Sequence, residues 1–342
     1  MSYAVTLWAP DWLAEPAELS SASLALTSLA KLLRRADAYP IKAQSYPARA
    51  SQLFHQPQTL PSAACSGYAE LERFDSSAFW LKVDPVQLIP DRDTLLMLPP
   101  QDLALTEQES QSLLDSFNQH FAQDGIKLVY ASVTSWYLSI IQPVDIHTTP
   151  LSEAVYRNLH DLFPQGHAAP YWRKLMNEAQ MLFFNHPVNL ARRAQGLAEV
   201  NSIWIWGEGQ IDQSALQFRP QACIWGQTSY LKGLAAHTQA QFKTLPTDYQ
   251  AWLNAQQDQA QPADAHLIVL PIRDQQQNLD QALSALEQDW LTGLLTGLEQ
   301  GQIHSLFIDL GFEQGFLLTP KNLKRFWRWR HPLKSRLARD LV

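Results

Sequence analysis

The chain has 342 residues, of which 46% are hydrophobic, so it can bury one large core or two smaller ones without help from disulfides or metals. No run reaches the roughly 20 apolar residues of a membrane-spanning helix, and the first ten residues lack the regions of a signal peptide. These features predict a cytoplasmic protein with no membrane span. The two cysteines, Cys65 and Cys223, stand outside any C-x-x-C or Cys/His motif, which argues against a disulfide framework and a structural zinc site.

The charge is distributed unevenly along the chain. Eight of the 26 basic residues but only one of the 33 acidic residues lie in 321–342. This tail therefore carries +7 and the rest of the chain −14, which together give the net charge of −7. An acidic body with a basic, tryptophan-bearing tail suggests that the tail contacts something acidic, either a partner or the body itself.

Residues 1–78 contain a predicted strand, a predicted helix and a predicted connector. The apolar run 4–8 predicts the strand, and apolar residues at helical spacing after Ser20 and Ser21 predict a helix that ends near Ala36. The stretch 39–67 holds four prolines and little periodicity, which predicts a loop.

Residues 79–195 combine short β-rich runs with two helices, which predicts an α+β unit. Thr106 and Glu109 have capping-box spacing at the start of one helix, Gly125 is placed to end it, and Pro170 is a good first-turn residue for the other. The predicted strands are 79–83, 95–98, 126–131 and 136–141, of which the last two can form a hairpin.

Residues 196–320 return to alternating strands and helices. The apolar runs 203–206, 266–270 and 303–308 predict buried strands. Between the last two, leucines and Trp290 recur at helical spacing from Leu279 to Leu298, after Asn278 and before Gly301. A strand, a helix and a strand in this order favour a parallel sheet in an α/β fold.

Three motifs, taken in order, carry a family resemblance. They are WLKVDPV at 80–86, LMNEAQML at 175–182 leading into HPVN at 186–189, and NSIWIWGEG at 201–209. The set resembles the RpfE-type bacterial regulatory proteins. The pairing of HPVN with NSIWIWGEG is also similar to the archaeal-type cofactor-independent phosphoglycerate mutases of the alkaline phosphatase superfamily. The resemblance covers about 79–234.

The resemblance implies a particular fold and domain plan. It implies an α/β protein with a doubly wound, mostly parallel sheet core like that of the alkaline phosphatase superfamily, interrupted by an inserted α+β domain. The segment boundaries then predict a discontinuous core of 1–78 plus 196–320, an inserted domain of 79–195, and a basic aromatic tail of 321–342.

The mutases use two metal ions flanking a serine nucleophile, and the resemblance points to the positions of their ligands. Here Asp11 lacks the following glycine, Asn278 stands where a histidine should follow Asp274, and Asp309 is followed by Leu310 instead of histidine. With both imidazoles missing, we expect no metal cofactor. The alternative is a remnant site in which Asp11, Asp274 and Asp309 hold Mg²⁺ or Mn²⁺ weakly.

Other polar residues of the matched motifs are candidates for binding a ligand. Glycines at a strand end can let backbone N–H groups cradle an anion, with an arginine as a bidentate partner. The competing interpretation is a tight turn and an ordinary helix end. The candidates are His186, Asn189, Arg192, Arg193, Gly207, Glu208 and Gly209.

The tail interleaves aromatic and basic residues, which is typical of surfaces that stack on bases and pair with phosphates, or that lie on an anionic membrane. Alternatively, its aromatic side chains share one helical face and dock the tail onto the acidic body. The candidate contact residues are Lys324, Arg325, Trp327, Arg328, Trp329 and Arg330.

These observations leave three functional hypotheses. The first is a non-catalytic regulatory or interaction protein on the mutase scaffold, whose partner is a protein or a small phosphorylated ligand. The second is a residual metal-dependent phosphoryl-transfer enzyme, acting as a mutase or a phosphatase. The third is nucleic-acid contact through the basic tail.

Overall fold

The computed structural model describes residues 2–13, 26–42, 45–92, 94–155, 157–257, 262–273, 277–325 and 327. The chain divides into two compact units. We call Met1–Thr59 together with Ala215–Val342 the split unit, and Leu60–Ser214 the middle unit. No helix in the described ranges is both long enough and apolar enough to cross a membrane.

The strands within the described residues are, in chain order, β1 (Tyr3–Trp8), β2 (Asp37–Pro40), β3 (Phe79–Asp91), β4 (Thr94–Leu98), β5 (Leu128–Ser132), β6 (Ser135–Ile140), β7 (Ser202–Gly209), β8 (Ala222–Gly226), β9 (Gln241–Thr244), β10 (Ala265–Val269), β11 (Ile303–Asp309) and β12 (Gln314–Leu318).

The α-helices of the same part of the chain are α1 (Thr27–Arg35), α2 (Tyr46–Leu53), α3 (Ser62–Glu70), α4 (Glu107–His120), α5 (Leu151–Ala154), α6 (Ala169–Phe184), α7 (Pro187–Ala194), α8 (Ser229–His237), α9 (Tyr249–Gln257), α10 (Leu279–Leu286) and α11 (Thr292–Glu299). A π-helical turn, Glu287–Leu291, joins the last two into one continuous helical stretch.

The split unit is built on a seven-stranded sheet in the order β2-β12-β11-β1-β10-β8-β9. The five strands from β11 to β9 run parallel, and β12 is antiparallel to both of its neighbours. Successive side chains of β1 point to opposite faces. Leu7 enters the main core with the leucines of α1, α10 and α11, whereas the ring of Trp8 packs on Tyr46 of α2. Helices therefore flank both faces, and the predicted α/β fold with a mostly parallel sheet is confirmed.

The long apolar stripe after Asn278 forms the predicted helix. The Asn278 side chain accepts hydrogen bonds from the N–H groups of Asp280 and Gln281, and Gly301 follows the helix with a φ of 76°. The Glu287 carboxylate in the π turn accepts from the N–H groups of Ser28 and Leu29 at 2.5 and 2.9 Å. A carboxylate at these unpaired donors stabilises the start of α1 and fixes it against the stripe.

The middle unit holds an antiparallel sheet in the order β4-β3-β6-β5, with β7 also paired to β3. One face of this sheet forms an apolar core with α4 and α6. The capping box of Thr106 and Glu109 is present, β5 and β6 form the predicted hairpin, and Pro170 lies in the first turn of α6. These predictions are confirmed.

Two features differ from the expectations. The stretch 39–67 is not one loop, because it contains α2 and the first six of the nine residues of α3, whose small or polar side chains hide helical periodicity. The strand at 203–206 is not part of the parallel sheet, since β7 pairs with β3. The middle unit therefore extends beyond the predicted segment 79–195 on both sides. It includes β7, and it also includes α3, which packs on β3 and β7.

Candidate functional site

The carboxyl ends of the parallel strands meet at one edge of the split unit's sheet, which is where ligands bind in open α/β sheets. Asp309 ends β11 there, and its side chain is fully buried. The guanidinium of Arg49, from α2, donates from Nε to Asp309 Oδ2 and from Nη2 to Oδ1, both at 2.6 Å. The N–H of Gly311 donates to Oδ1 at 2.9 Å. Both oxygens of the carboxylate are thus engaged by the protein itself.

Helix α2 positions Arg49 at this edge of the sheet. Ser45 caps the helix by accepting from the N–H of Ala48, and Pro47 fits the first turn. Arg49 is 6% exposed, and its guanidinium also donates to the carbonyl of Phe312, just after β11. One side chain therefore holds both the end of β11 and the turn that follows it.

Burial raises the pKa of Asp309, while the paired Arg49 and the N–H of Gly311 oppose that rise and Asp11 adds to it. Asp309 and Arg49 both lie in the interior, where an unpaired charge is expensive, so each side chain depends on the other. The pair is a structural unit that leaves the carboxylate little capacity for another cation.

Asp11 reaches the same edge from the turn after β1, with a φ of 57° and an exposed side chain. A Cβ at Gly311, whose φ is 105°, would come within 2.9 Å of the Asp11 nitrogen, so only glycine lets these turns approach so closely. The structure therefore brings Asp11 and Asp309 to one edge. Asp274, the third candidate, lies outside the described residues. In the part of the chain that is described, no three His, Cys, Asp or Glu residues form a metal-binding group.

Aromatic side chains that the motifs did not single out lie beside this ion pair. The Tyr46 ring packs on Trp8, with 4.7 Å between centroids, and meets Tyr230 edge-on at 5.9 Å. The Tyr46 hydroxyl lies 3.4 Å from that of Thr228, and burial raises the pKa of Tyr46 to about 12. The sequence did not point to these aromatic residues, because Tyr46 falls in the stretch that was predicted to be a loop.

The HPVN motif lies in the middle unit, at the start of α7. His186 is the N-cap: its Nδ1 accepts from the N–H of Val188 at 3.2 Å, and its Nε2 lies 2.8 Å from the hydroxyl of Ser116. Asn189 is fully buried, donates to the carbonyls of Phe183 and Val200, and accepts from the N–H of Val200. Both side chains hold α7 in place.

The two arginines of α7 are also engaged within the middle unit. Arg192 is 1% exposed and donates from Nη1 to both carboxylate oxygens of Glu109, each at 2.9 Å. It also donates to the carbonyls of Leu103 and Ala198. Arg193 pairs with Glu199 at 3.1 Å. The Arg192–Glu109 pair therefore joins α7 to the capping box of α4.

The Gly207–Gly209 turn has a different set of neighbours. The N–H of Gly207 donates to the Thr148 hydroxyl at 3.1 Å, and Glu208 accepts from both the N–H and the hydroxyl of Thr148. A Cβ at Gly209 would come within 2.4 Å of Pro61. These glycines let the end of β7 pack tightly before α3. None of the contacts described for this turn involves a side chain of α7.

We predict that Gly207→Ala destabilises the middle unit by about 2–4 kcal/mol. Its φ is 73°, and the added Cβ would lie 2.9 Å from Ser62 Cβ and 3.2 Å from the Ala63 nitrogen, so strain and overpacking add. Gly125→Ala is the control, because Gly125 has a φ of 71° but open space around it. It should cost only about 1–2 kcal/mol. Equal losses in urea unfolding for both variants would contradict the packing contribution.

Comparisons with known proteins extend these observations. The chain is similar to cofactor-independent phosphoglycerate mutases. It is 25% identical over 170 residues to a probable 2,3-bisphosphoglycerate-independent phosphoglycerate mutase of Geobacter sulfurreducens, covering 45% of this chain and 41% of the relative. It is 23% identical over 127 residues to the corresponding enzyme of Methanosarcina barkeri, covering 36% and 31%. The aligned part thus spans less than half of either relative. No family model matches the chain.

Two solved structures share the fold over most of the chain. The PH0037 protein from Pyrococcus horikoshii has a TM-score of 0.57 at 12% identity, covering 93% of this chain and 88% of that one. The cofactor-independent phosphoglycerate mutase from Thermoplasma acidophilum has a TM-score of 0.50 at 12% identity, covering 93% and 90%. The chain therefore shares the fold of these two structures, one of which is a cofactor-independent phosphoglycerate mutase.

The described residues of the strand edge do not fit a pair of divalent metal ions. A metal-bound carboxylate must present free oxygen lone pairs to the ion. Both oxygens of Asp309 instead accept from Arg49, and Asp11 is the remaining described carboxylate of the candidate set. A guanidinium is permanently charged, so it already neutralises Asp309.

The first residues of the tail contact other parts of the split unit. Arg325 pairs with Asp37, with Nη1 2.5 Å from Oδ1, and the carbonyl of Leu323 accepts from Arg35 at 2.6 Å. Lys324 and Trp327 are exposed. Arg328, Trp329 and Arg330 lie outside the described residues. The Arg325–Asp37 pair joins the start of the tail to an acidic residue, but it does not test the predicted docking through aromatic side chains.

Proposed function

We propose that this protein is a non-catalytic regulatory or interaction protein on a phosphoglycerate mutase scaffold. The observation that carries the proposal is the buried ion pair between Arg49 and Asp309 at the strand edge. The resemblance to RpfE-type regulatory proteins is in line with it. We propose that the scaffold binds a protein partner or a small phosphorylated ligand.

The chemistry explains why this ion pair matters. Metal ions in phosphoryl transfer act as Lewis acids and lower the pKa of a bound nucleophile. Arginine can stabilise negative charge but has no open coordination position and does not lose its proton at neutral pH. Arg49 therefore neutralises the charge of Asp309 without supplying the activating step.

The test combines metal content with activity. We expect the purified full-length protein to bind no Mg²⁺, Mn²⁺ or Zn²⁺ stoichiometrically, and to show neither phosphoglycerate mutase nor phosphatase activity with any of them added. Mutase activity that depends on metal and is lost in Asp309→Asn would overturn the proposal. The control is Asp124→Asn, at an exposed aspartate of the middle unit, which should leave any such activity unchanged.

The second candidate, residual metal-dependent phosphoryl transfer, is favoured by one observation: Asp11 lies at the same edge as Asp309, where its charge contributes to the raised pKa of Asp309. For this candidate we expect Asp11→Asn to lower activity together with metal affinity. Metal binding without turnover of either phosphoglycerate would remove it.

A further inference from the structure

A cavity of about 470 Å³ lies on one face of the split unit's sheet, apart from the ion pair described above. Residues of β1, β2, β11 and β12 form its floor and one wall, and the end of α2 with the turn after it forms the other. The volume falls within the range of small-molecule sites, about 300–1,000 Å³.

The floor of the cavity carries the small side chains of Ala4, Thr6 and Ser305. Ala4 pairs with Ser305, and Thr6 pairs with Phe307 on the neighbouring strand. The Phe307 ring lies directly over Gly315, since a Cβ at Gly315 would come within 2.1 Å of the ring. The Phe307 ring can lie close to the backbone of β12 only because residue 315 is glycine. This keeps the space above the floor open.

Most of the lining is apolar, and the polar groups are neutral. The apolar side chains are Tyr39, Pro40, Ile41, Leu53, Phe307 and Leu317. Hydrogen-bonding groups are supplied by Thr6, Gln52, His55 and Ser305. Among the described residues that line the cavity there is no lysine, arginine, aspartate or glutamate.

This lining disfavours a charged ligand. Burial of the His55 ring, and then the nearby Arg219, lower the pKa of His55, which favours the neutral imidazole. A charged group brought into this half-open space would lose part of its hydration and meet no charged side chain in the described lining, which is unfavourable. A neutral ligand avoids that cost and can still exchange hydrogen bonds with the polar side chains of the lining.

We propose that this cavity binds a neutral, mainly apolar small molecule that carries a hydrogen-bonding group for the polar side chains of its lining. The aromatic rings of Phe307 and Tyr39 in the lining favour a planar ligand. This site is separate from the strand edge, so it stands independently of the proposed lack of catalysis.

The experiment uses two fluorescent probes that share an aryl frame and differ in charge. N-phenyl-1-naphthylamine is neutral with one N–H group, and 8-anilinonaphthalene-1-sulfonate adds a sulfonate. We expect the full-length protein to bind the neutral probe saturably at one site. The anionic probe should bind at least tenfold more weakly, because its charge would be unpaired. Equal affinity for both probes, or no saturable binding of the neutral one, overturns the proposal.

Cavity-filling variants locate the binding. Ser305→Phe should weaken binding of the neutral probe at least tenfold, and Ala4→Val, a smaller change to the same floor, should weaken it measurably if Ser305→Phe does not fold. Ser152→Phe is the matched control on an exposed position of α5 in the middle unit and should leave the affinity unchanged. Unaltered binding in a folded floor variant, checked by circular dichroism, would place the probe elsewhere and refute the site.

Discussion

Arg49→Met should destabilise the protein by about 3–5 kcal/mol, because it leaves the carboxylate of Asp309 buried without its partner. Asp309 is fully buried and Arg49 is 6% exposed, so solvent offers the remaining charge little compensation. The loss should appear in urea unfolding. Hydrogen exchange should show the largest loss of protection in β1 and β11, since the pair holds the end of β11 and the turn after it.

A double variant separates the loss of a partner from the loss of the pair. In Arg49→Met with Asp309→Leu, no charge remains buried, and we expect most of the lost stability to return. Lys31→Met is the control, because Lys31 pairs with Glu299 on the surface, where such pairs contribute little. If Arg49→Met costs no more than Lys31→Met, the ion pair does not stabilise the strand edge.

Arg49 also shows how far the sequence alone could predict this site. The strands are recognisable because each is a short apolar run, and their carboxyl ends correctly place Asp11 and Asp309 at one edge. The partner of Asp309 lies 260 residues earlier in the chain. A lone arginine in a proline-containing stretch is not part of any periodic pattern. The sequence alone therefore could not show that Arg49 pairs with Asp309.

The same limit explains the assignment of β7. Its apolar run has the composition of a buried strand, but composition does not identify the strand that it pairs with. The antiparallel ladder with β3 places Trp204 opposite Asp84, a contact across 120 residues. Motif residues such as Asn189 and Arg192 were recognisable as a group, yet only their contacts reveal that they hold helix ends.

That ladder also creates a buried polar cluster in which residues of the WLKVDPV and NSIWIWGEG motifs meet. Asp84 is 2% exposed; its Oδ2 accepts from the indole N–H of Trp206 at 2.6 Å, and its Oδ1 has no described hydrogen-bond partner. Lys82, two residues earlier on the same face of β3, lies over the rings of Trp206 and Tyr137 and 3.5 Å from Glu70. Tyr137 donates to Glu70 at 2.7 Å.

Burial raises the pKa of Asp84 from 3.8 to about 7, against the opposing effects of Lys82 and Trp206, while Glu70 adds to the rise. The folded state therefore keeps a proton that the unfolded chain releases. This contribution to stability is fully present below the unfolded pKa and is lost as the pH rises through 7. Above that pH, folding must bury an ionised carboxylate.

We predict that Asp84→Asn, which resembles the protonated side chain, stabilises the protein at pH 8 but hardly at pH 4. The difference between 3.8 and about 7, at about 1.4 kcal/mol for each pH unit, gives a gain of about 4 kcal/mol at pH 8. Urea unfolding of both proteins at several pH values measures it. Asp124→Asn, at an exposed position of the same unit, gives the background. A gain that does not change between pH 4 and pH 8 would mean that Asp84 stays ionised throughout, with Lys82 as a sufficient partner.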